Sequence, residues 1–270
     1  MPELPEVETS VQAIQKFKNQ NIESIEVFNP NLRWKVNTQD FQKLHGKKVL
    51  NITRRAKYIM LNFGEFEILI HLGMTGTLRI TDKYSNLYKK HDHVELIFGT
   101  EKIIFNDPRR FGSFHFISNV ENHFLLNSLG PEPLSKKFDG AYLFNKIRKS
   151  KSPIKNALMN QKNVVGIGNI YANEILFDAK IRPTRKCKTL TKKENMRIVD
   201  STKKILKLAI KAGGTTLQDF YQPDGNKGYF KIDLAVYDRA GKCCLFCKQE
   251  EITRIIQAQR ATFFCKKCQG

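Results

Sequence analysis

The final stretch of the chain constrains its fold most. CLFC (244–247) and CKKC (265–268) are two Cys-x-x-Cys pairs separated by seventeen residues. Four thiolates so spaced bring one Zn²⁺ into tetrahedral coordination, and a tail this poor in apolar residues needs such a staple to fold. Between the pairs, TRIIQAQRATFF (253–264) has the composition of a β-hairpin, which predicts a zinc-ribbon-like module. Cys243 adjoins Cys244, but its spacing to Cys247 is wrong for a knuckle, so the expected ligands are Cys244, Cys247, Cys265 and Cys268. Of the six cysteines only Cys187 lies outside this segment. That distribution fits a metal site in a reducing cytoplasm better than a disulfide scaffold.

The rest of the chain changes period twice. Leu4, Val7, Val11, Ile14 and Phe17 recur at helical spacing and predict an amphipathic helix over 3–19. Short β-prone runs follow at 22–28, 47–54, 57–63, 65–72, 75–80, 93–98, 101–107 and 111–116. Gly and polar residues separate them, as in an all-β sandwich or barrel. LGPEPLS (129–135) is a Pro-punctuated linker. Helical runs are then expected near 138–149, 153–160, 170–178 and 192–212. The last begins with a capping box, Thr191 with Glu194, and stops at Gly213-Gly214. The resulting reading is an α+β multidomain chain. A β-domain with a leading helix spans 1–116, a linker 117–135, a helical domain 136–228 and a zinc finger 229–270. At 270 residues the chain is long enough for two ordinary domains.

Charge narrows the class of partner. The chain carries +20, and residues 141–212 hold 18 basic against 4 acidic side chains. A field so concentrated points to a polyanion, nucleic acid first, with a lysine-rich composition as the bland alternative. No apolar run approaches the ~18–20 residues of a membrane helix. The opening MPELPEVETS is acidic where a secretion signal is basic, so a cytoplasmic, membrane-free protein is expected.

Four sets of residues can carry chemistry. Pro2 follows the initiator methionine, whose removal would leave a secondary α-amine. With a pKa of about 7.7–8.0, such an amine is substantially unprotonated near neutrality, unlike a lysine. It can attack an electrophilic carbon to give an iminium directly, with Glu3 and Glu6 nearby for proton transfer. The ordinary alternative is a Pro/Glu-rich helix start. GIGNIYANE (166–174) is a tight turn before a helix, where Asn169 and backbone N–H groups can meet a phosphate; otherwise it is a buried structural turn. NDPRRFG (106–112) offers Arg109 and Phe111 on a loop tip that can enter a base stack, or merely a turn with a core Phe. In HLGMTG (71–76), Met74 is either an exposed wedge or core filler.

Together these segments resemble the formamidopyrimidine-DNA glycosylase family. The resemblance runs through MPELPEVET, RRAKYIML (54–61), HLGMTG, DPRRFG, LGPEPL, VVGIGNIYANEILF (164–177), GGTTLQDF (213–220) and QRATFFCKKCQ (259–269). It implies an N-terminal β-sandwich, a helix–two-turn–helix domain and a terminal β-hairpin zinc finger. It implies an enzyme that flips an oxidised purine out of damaged double-stranded DNA, removes it, and cleaves the strand by β,δ-elimination. Residue by residue, it implies Pro2 as nucleophile and Glu3 as proton donor to the sugar. Lys57 and Arg260 would serve β- and δ-elimination. His91, Arg109, Lys151 and Asn169 would contact DNA, and Met74, Arg109 and Phe111 would fill the gap left by the flipped nucleotide. DNA is expected in a cleft between the domains, and residues 217–230 are the expected lesion loop. One zinc per chain and a monomer complete the picture.

Two departures carry expectations of their own. The seventeen-residue cysteine spacer exceeds the more familiar sixteen; KQEE (248–251) is the expected slack, lengthening a hairpin tip and sparing the metal. A chain that kept Met1 would have its amine blocked. The rivals are an endonuclease-VIII-like enzyme for oxidised pyrimidines and a non-catalytic zinc-containing DNA binder. Pro2-Glu3 with Lys57 speaks against the binder, which has no use for an amine.

Overall fold

The computed structural model describes residues 2–118, 123–214 and 234–270. The expected lesion loop, the first residues of the expected zinc-finger segment and Met1 lie outside the described residues. The chain forms two compact units, Met1–Asn127 with Gly213–Lys231, and Ser128–Ala212 with Ile232–Gly270.

In the first unit, α1 (Leu4–Ile14) opens at Glu3, whose backbone N–H donates to the Glu6 carboxylate at 2.8 Å. Leu4, Val7, Val11 and Ile14 are buried, as the helical spacing requires. The helix tightens into a 3-10 turn over Gln15–Phe17 and packs on β2 (Asn51–Arg55) and β3 (Tyr58–Asn62). With β1 (Ile22–Val27), β4 (Glu67–His71), β5 (Thr77–Asp82), β6 (Asp92–Phe98), β7 (Glu101–Asn106) and β8 (Ser113–Ile117), these form two antiparallel four-stranded sheets. Their orders are β1-β6-β7-β5 and β2-β3-β4-β8. One core fills the unit: Ile59, Leu61, Ile68 and Ile70 from one sheet, Leu96, Ile103 and Phe105 from the other, with Val7 and Val11 of α1. Alternating burial along β3 is the period-2 signal made physical.

Two details differ from the expectation. Residues 47–50 precede β2 instead of extending it, because Lys47 O and the Val49 N–H bond to Ile22 and Gln20 at the start of β1. A short 3-10 segment, Gln39–Leu44, buries Phe41 and Leu44; two apolar positions are too few to show a period.

The second unit holds α2 (Gly140–Ile147), α3 (Ile154–Met159), α4 (Asn169–Asp178) and α5 (Lys192–Lys211). Asp139 caps α2 by accepting from the Tyr142 N–H, and the Thr191–Glu194 capping box starts α5. Phe138, Leu143, Leu158, Tyr171, Ile175 and Leu206 are among the residues of its core. The unit ends in the hairpin β9 (Ile252–Gln257) and β10 (Arg260–Cys265). Arg260 pairs with Gln257, so the tip is the two residues Ala258 and Gln259, both at positive φ. The hairpin tip is therefore not lengthened. Residues 248–251 lie before β9, next to the first cysteine pair, where Lys248 N–H bonds back to Cys244 O. Strand pairing leaves no room for an extra residue at the tip, whereas this turn accommodates one.

Candidate functional site

In the first unit the site residues cluster at two places. Glu3 and Glu6 are each 1% exposed at the N-terminus of α1, where the helix dipole and orphan N–H groups favour negative charge. Half-buried Pro2 precedes them. Arg54 ties this helix to the β2–β3 turn: its Nε donates to the Glu8 carboxylate at 2.7 Å and its guanidinium to Ala56 O at 2.9 Å. That turn carries Lys57, which is buried. Lys57 lies close enough to His71, at the end of β4, to act on its charge. Burial first, then the positive charges of Lys57 and Arg33, lower the His71 pKa to about 4. His71 Nδ1 accepts from the Gly73 N–H at 3.0 Å, which fits a neutral ring.

The second cluster is built on Asp107, which is fully buried. Its Oδ1 accepts from Thr75 Oγ1 at 2.6 Å and from the Arg109 N–H; its Oδ2 accepts from the Gly112 N–H at 2.7 Å. Its backbone N–H donates to His91 O, and its carbonyl oxygen meets His93 Nε2 at 2.8 Å. One carboxylate thus joins the HLGMTG and NDPRRFG loops. Gly73, at φ +63°, makes the join possible, since a Cβ there would stand 2.4 Å from Gly112 N. The result presents Met74 and Phe111 to solvent, 38% and 43% exposed, with the Arg109 guanidinium 4.7 Å from the centre of the Phe111 ring. Met74, His91, Arg109 and Phe111 are brought together, and neither Met74 nor Phe111 is core filler.

In the second unit the turn before α4 is shaped by Gln161. Its side chain accepts from the Gly166 N–H and donates to Met159 O and Ile167 O. Asn169 then occupies the first turn of α4, and its Nδ2 donates to Ala261 O at 3.2 Å. The same carbonyl accepts from Lys155 Nζ at 2.9 Å, and Thr262 Oγ1 accepts from it at 2.7 Å. Exposed Arg260 directly precedes Ala261 in the chain, so Asn169 and Arg260 are neighbours. Lys151 stands exposed in the connection before α3.

Sequence reasoning did not single out Asp107, His71 or Lys155. The Asp-Pro turn and the HLGMTG motif pointed to the first two; nothing marked Lys155 among so many lysines.

Cys244, Cys247, Cys265 and Cys268 place their sulfurs within 4.8 Å of one another, while Cys243 is exposed outside the group. Cys244–Cys268 and Cys247–Cys265 sulfur separations of 3.8 and 3.7 Å are edges of a tetrahedron and far exceed a disulfide bond. The backbone N–H groups of Gln249 and Glu250 lower the Cys247 pKa to about 6. Burial, then the neighbouring thiols, raise that of Cys268 to about 12. Four thiols in one place resist full ionisation unless a cation joins them, and this cluster fits one metal ion.

A β-sandwich unit led by a buried carboxylate pair, and a helical unit ending in a four-cysteine hairpin that fits a metal ion, define a class of two-unit proteins. Residues 1–114 match the formamidopyrimidine-DNA glycosylase N-terminal domain, and residues 129–221 match the formamidopyrimidine-DNA glycosylase H2TH domain. Formamidopyrimidine-DNA glycosylases of Photorhabdus laumondii and Haemophilus influenzae are 46% and 44% identical, each aligned over the whole of this chain and 99–100% of the relative. Among solved structures, a Lactococcus lactis Fpg mutant in complex with Fapy-dG-containing DNA superposes with a TM-score of 0.91 at 36% identity. Lactococcus lactis Fpg with abasic-site DNA gives 0.89 at 37%; both cover 99% of either chain. The chain belongs to the formamidopyrimidine-DNA glycosylase family.

Proposed function

We propose that this chain is a bifunctional base-excision repair enzyme that removes oxidised purines, 8-oxoguanine and formamidopyrimidines, from double-stranded DNA and then cleaves the strand. The observation that carries the reading is the Pro2-Glu3 start, with Glu3 buried at the head of α1, in a chain 46% identical to a formamidopyrimidine-DNA glycosylase end to end.

With Met1 removed, the Pro2 amine attacks C1′ of the flipped nucleotide. The glycosidic bond breaks and the base departs with its electron pair. Glu3 gives a proton to the ring oxygen, and the opened sugar remains on Pro2 as an iminium. The iminium acidifies the C2′ proton, whose loss expels the 3′ phosphate; a second elimination expels the 5′ phosphate. Lys57 serves the first elimination and Arg260 the second, each beside a departing phosphate. His91, Lys151 and Asn169 hold the DNA backbone, and Met74, Arg109 and Phe111 fill the space of the flipped nucleotide. A structural Zn²⁺ fits the cysteine cluster: Zn–S bonds of about 2.3 Å set sulfurs about 3.8 Å apart around the ion. It would hold the hairpin that carries Arg260. The enzyme works as a monomer in the bacterial cytoplasm; no helix among the described residues is long and apolar enough to cross a membrane.

Borohydride in the presence of 8-oxoguanine duplex should reduce the iminium to a stable protein–DNA adduct that maps to Pro2. A chain retaining Met1 should bind the duplex and give no adduct. An adduct on a lysine, or equal trapping by the chain with Met1, would overturn the mechanism; trapping confined to oxidised-pyrimidine duplex would reassign the substrate.

A further inference from the structure

The β2-β3-β4-β8 sheet carries, on its outer face, a cluster of rings that the proposed reaction does not use. β8 is an edge strand, and Phe114 belongs to the sandwich core, which turns its neighbour His115 to the opposite face. There His115 pairs across the sheet with Leu69 of β4. The chain beyond β8 brings His123 back to it, with the two imidazole centres 5.5 Å apart. Trp34 stands equally close to His115, at 5.5 Å. Phe124 completes the cluster, 4.8 Å from His123 and 6.2 Å from Trp34.

Two nitrogens of this cluster lack a partner. His115 Nε2 and His123 Nδ1 are buried, bond to no group among the described residues, and do not bond to each other. A polar atom buried so is costly, and two of them on adjacent rings call for a ligand that satisfies both. Burial first, then His123, lower the His115 pKa to about 4, so this ring is neutral near pH 7. With the proton of each ring on its other nitrogen, both orphan atoms are lone pairs. Neutral imidazole is the commonest protein ligand for Zn²⁺, Cu²⁺ and Ni²⁺. Zn–N bonds of about 2.0–2.1 Å at a near-tetrahedral angle set the centres of two ligating imidazoles about 5 Å apart, close to the spacing here.

We propose that His115 and His123 bind one divalent transition-metal ion of the kind that favours imidazole, such as Zn²⁺ or Ni²⁺, through Nε2 and Nδ1. The site belongs to the first unit and the cysteine cluster to the second. Phe124 is 61% exposed, so the cluster reaches the surface and water completes the coordination. Nearby positive charge limits the affinity: the Arg33 guanidinium lies 4.6 Å from the Trp34 ring centre, and His71 is within electrostatic reach of His115. Two neutral ligands beside a cation hold an ion far less tightly than four thiolates, so this ion is the exchangeable one.

Trp34 is the only tryptophan of the chain, so its emission reports on this site. The test is titration of the full-length, zinc-loaded protein with Ni²⁺, a paramagnetic ion that quenches a neighbouring indole. Saturable quenching with a Kd of about 10–100 μM is expected. Excess Zn²⁺ should restore the emission and Mg²⁺, which prefers oxygen ligands, should not. His115→Phe and His123→Phe should each weaken the quenching about ten-fold or more, and each variant should keep its cysteine-bound zinc. His123 is only half-buried and the substitution keeps a ring beside Phe124, so that variant folds even if His115→Phe does not. The proposal is overturned by emission that Ni²⁺ leaves unchanged or quenches without saturation, or by equal quenching of parent and variants. Quenching that follows release of zinc from the cysteines would assign the ion to them and overturn it equally.

Discussion

His71 and Asp107 show how single buried polar groups set up the first unit. His71 is held neutral, with a pKa near 4, by burial and by Lys57 and Arg33 beside it. An unfolded histidine titrates near 6.5, so between about pH 6.5 and 4 the unfolded chain binds the extra proton and the folded chain does not. Stability from this group is complete above pH 6.5 and lost as pH falls toward 4, by about 2–3 kcal/mol. The urea midpoint of the parent should therefore drop between pH 7 and pH 5 by more than that of His71→Gln; equal drops would remove His71 as a source of acid sensitivity. Asp107 works through geometry. Asp107→Ala leaves the buried Gly112 N–H and the Thr75 hydroxyl without their acceptor, at a cost of about 2–4 kcal/mol. It should also release the Met74 and Phe111 loops, so excision from duplex should fall far more than cleavage of a preformed abasic site. Comparison of the two rates checks this.

At the scale of elements, the hairpin depends on its cysteines. Its own core is small, Val236, Ile252 and Phe263 with two of the cysteines, and Phe177 of α4 packs against it. Chelation of the metal should melt β9–β10 and displace Arg260, weakening DNA binding while the β-sandwich keeps its near-ultraviolet signature. Metal analysis should find one zinc per chain; less than about half an equivalent in carefully purified protein would refute a structural zinc. This module was legible because its chemistry is local: four cysteines at fixed spacing around a β-prone run. The strands and α1 were legible for a similar reason, since a buried face imposes a period on nearby residues. Lys155 was not. Nothing near it in sequence marks it as buried, and its acceptors, Ala261 and Thr262, lie more than a hundred residues away. Asp107 sits in a turn the sequence marks, but its join to Thr75 was hidden, because that bond exists only when two strands place separate loops together. The slack in the cysteine spacer could be located in sequence but not assigned to a side of the hairpin, which required the strand register.

For the whole molecule the governing quantity is charge. The net +20 is carried mostly by residues 141–212, while residues 1–140 are nearly balanced. Binding to duplex DNA should therefore be strongly salt-dependent, because each cation that neutralises a phosphate releases about one counterion. The proposed roles then separate in one plot of log affinity against log salt. Lys57→Ala and Arg260→Ala should each weaken binding of lesion and undamaged duplex alike and flatten the slope by about 0.9. Asn169→Ala removes a hydrogen bond and no charge, so affinity should fall while the slope stays. Glu3→Gln keeps the shape and removes the proton donor, so binding and slope should be nearly those of the parent while excision is lost. The two units would then contribute differently: cations of both set the salt slope, and Glu3 of the first unit sets the rate. If neither Lys57→Ala nor Arg260→Ala changes the slope, those side chains do not touch phosphate, and their assignment to the eliminations loses its physical basis.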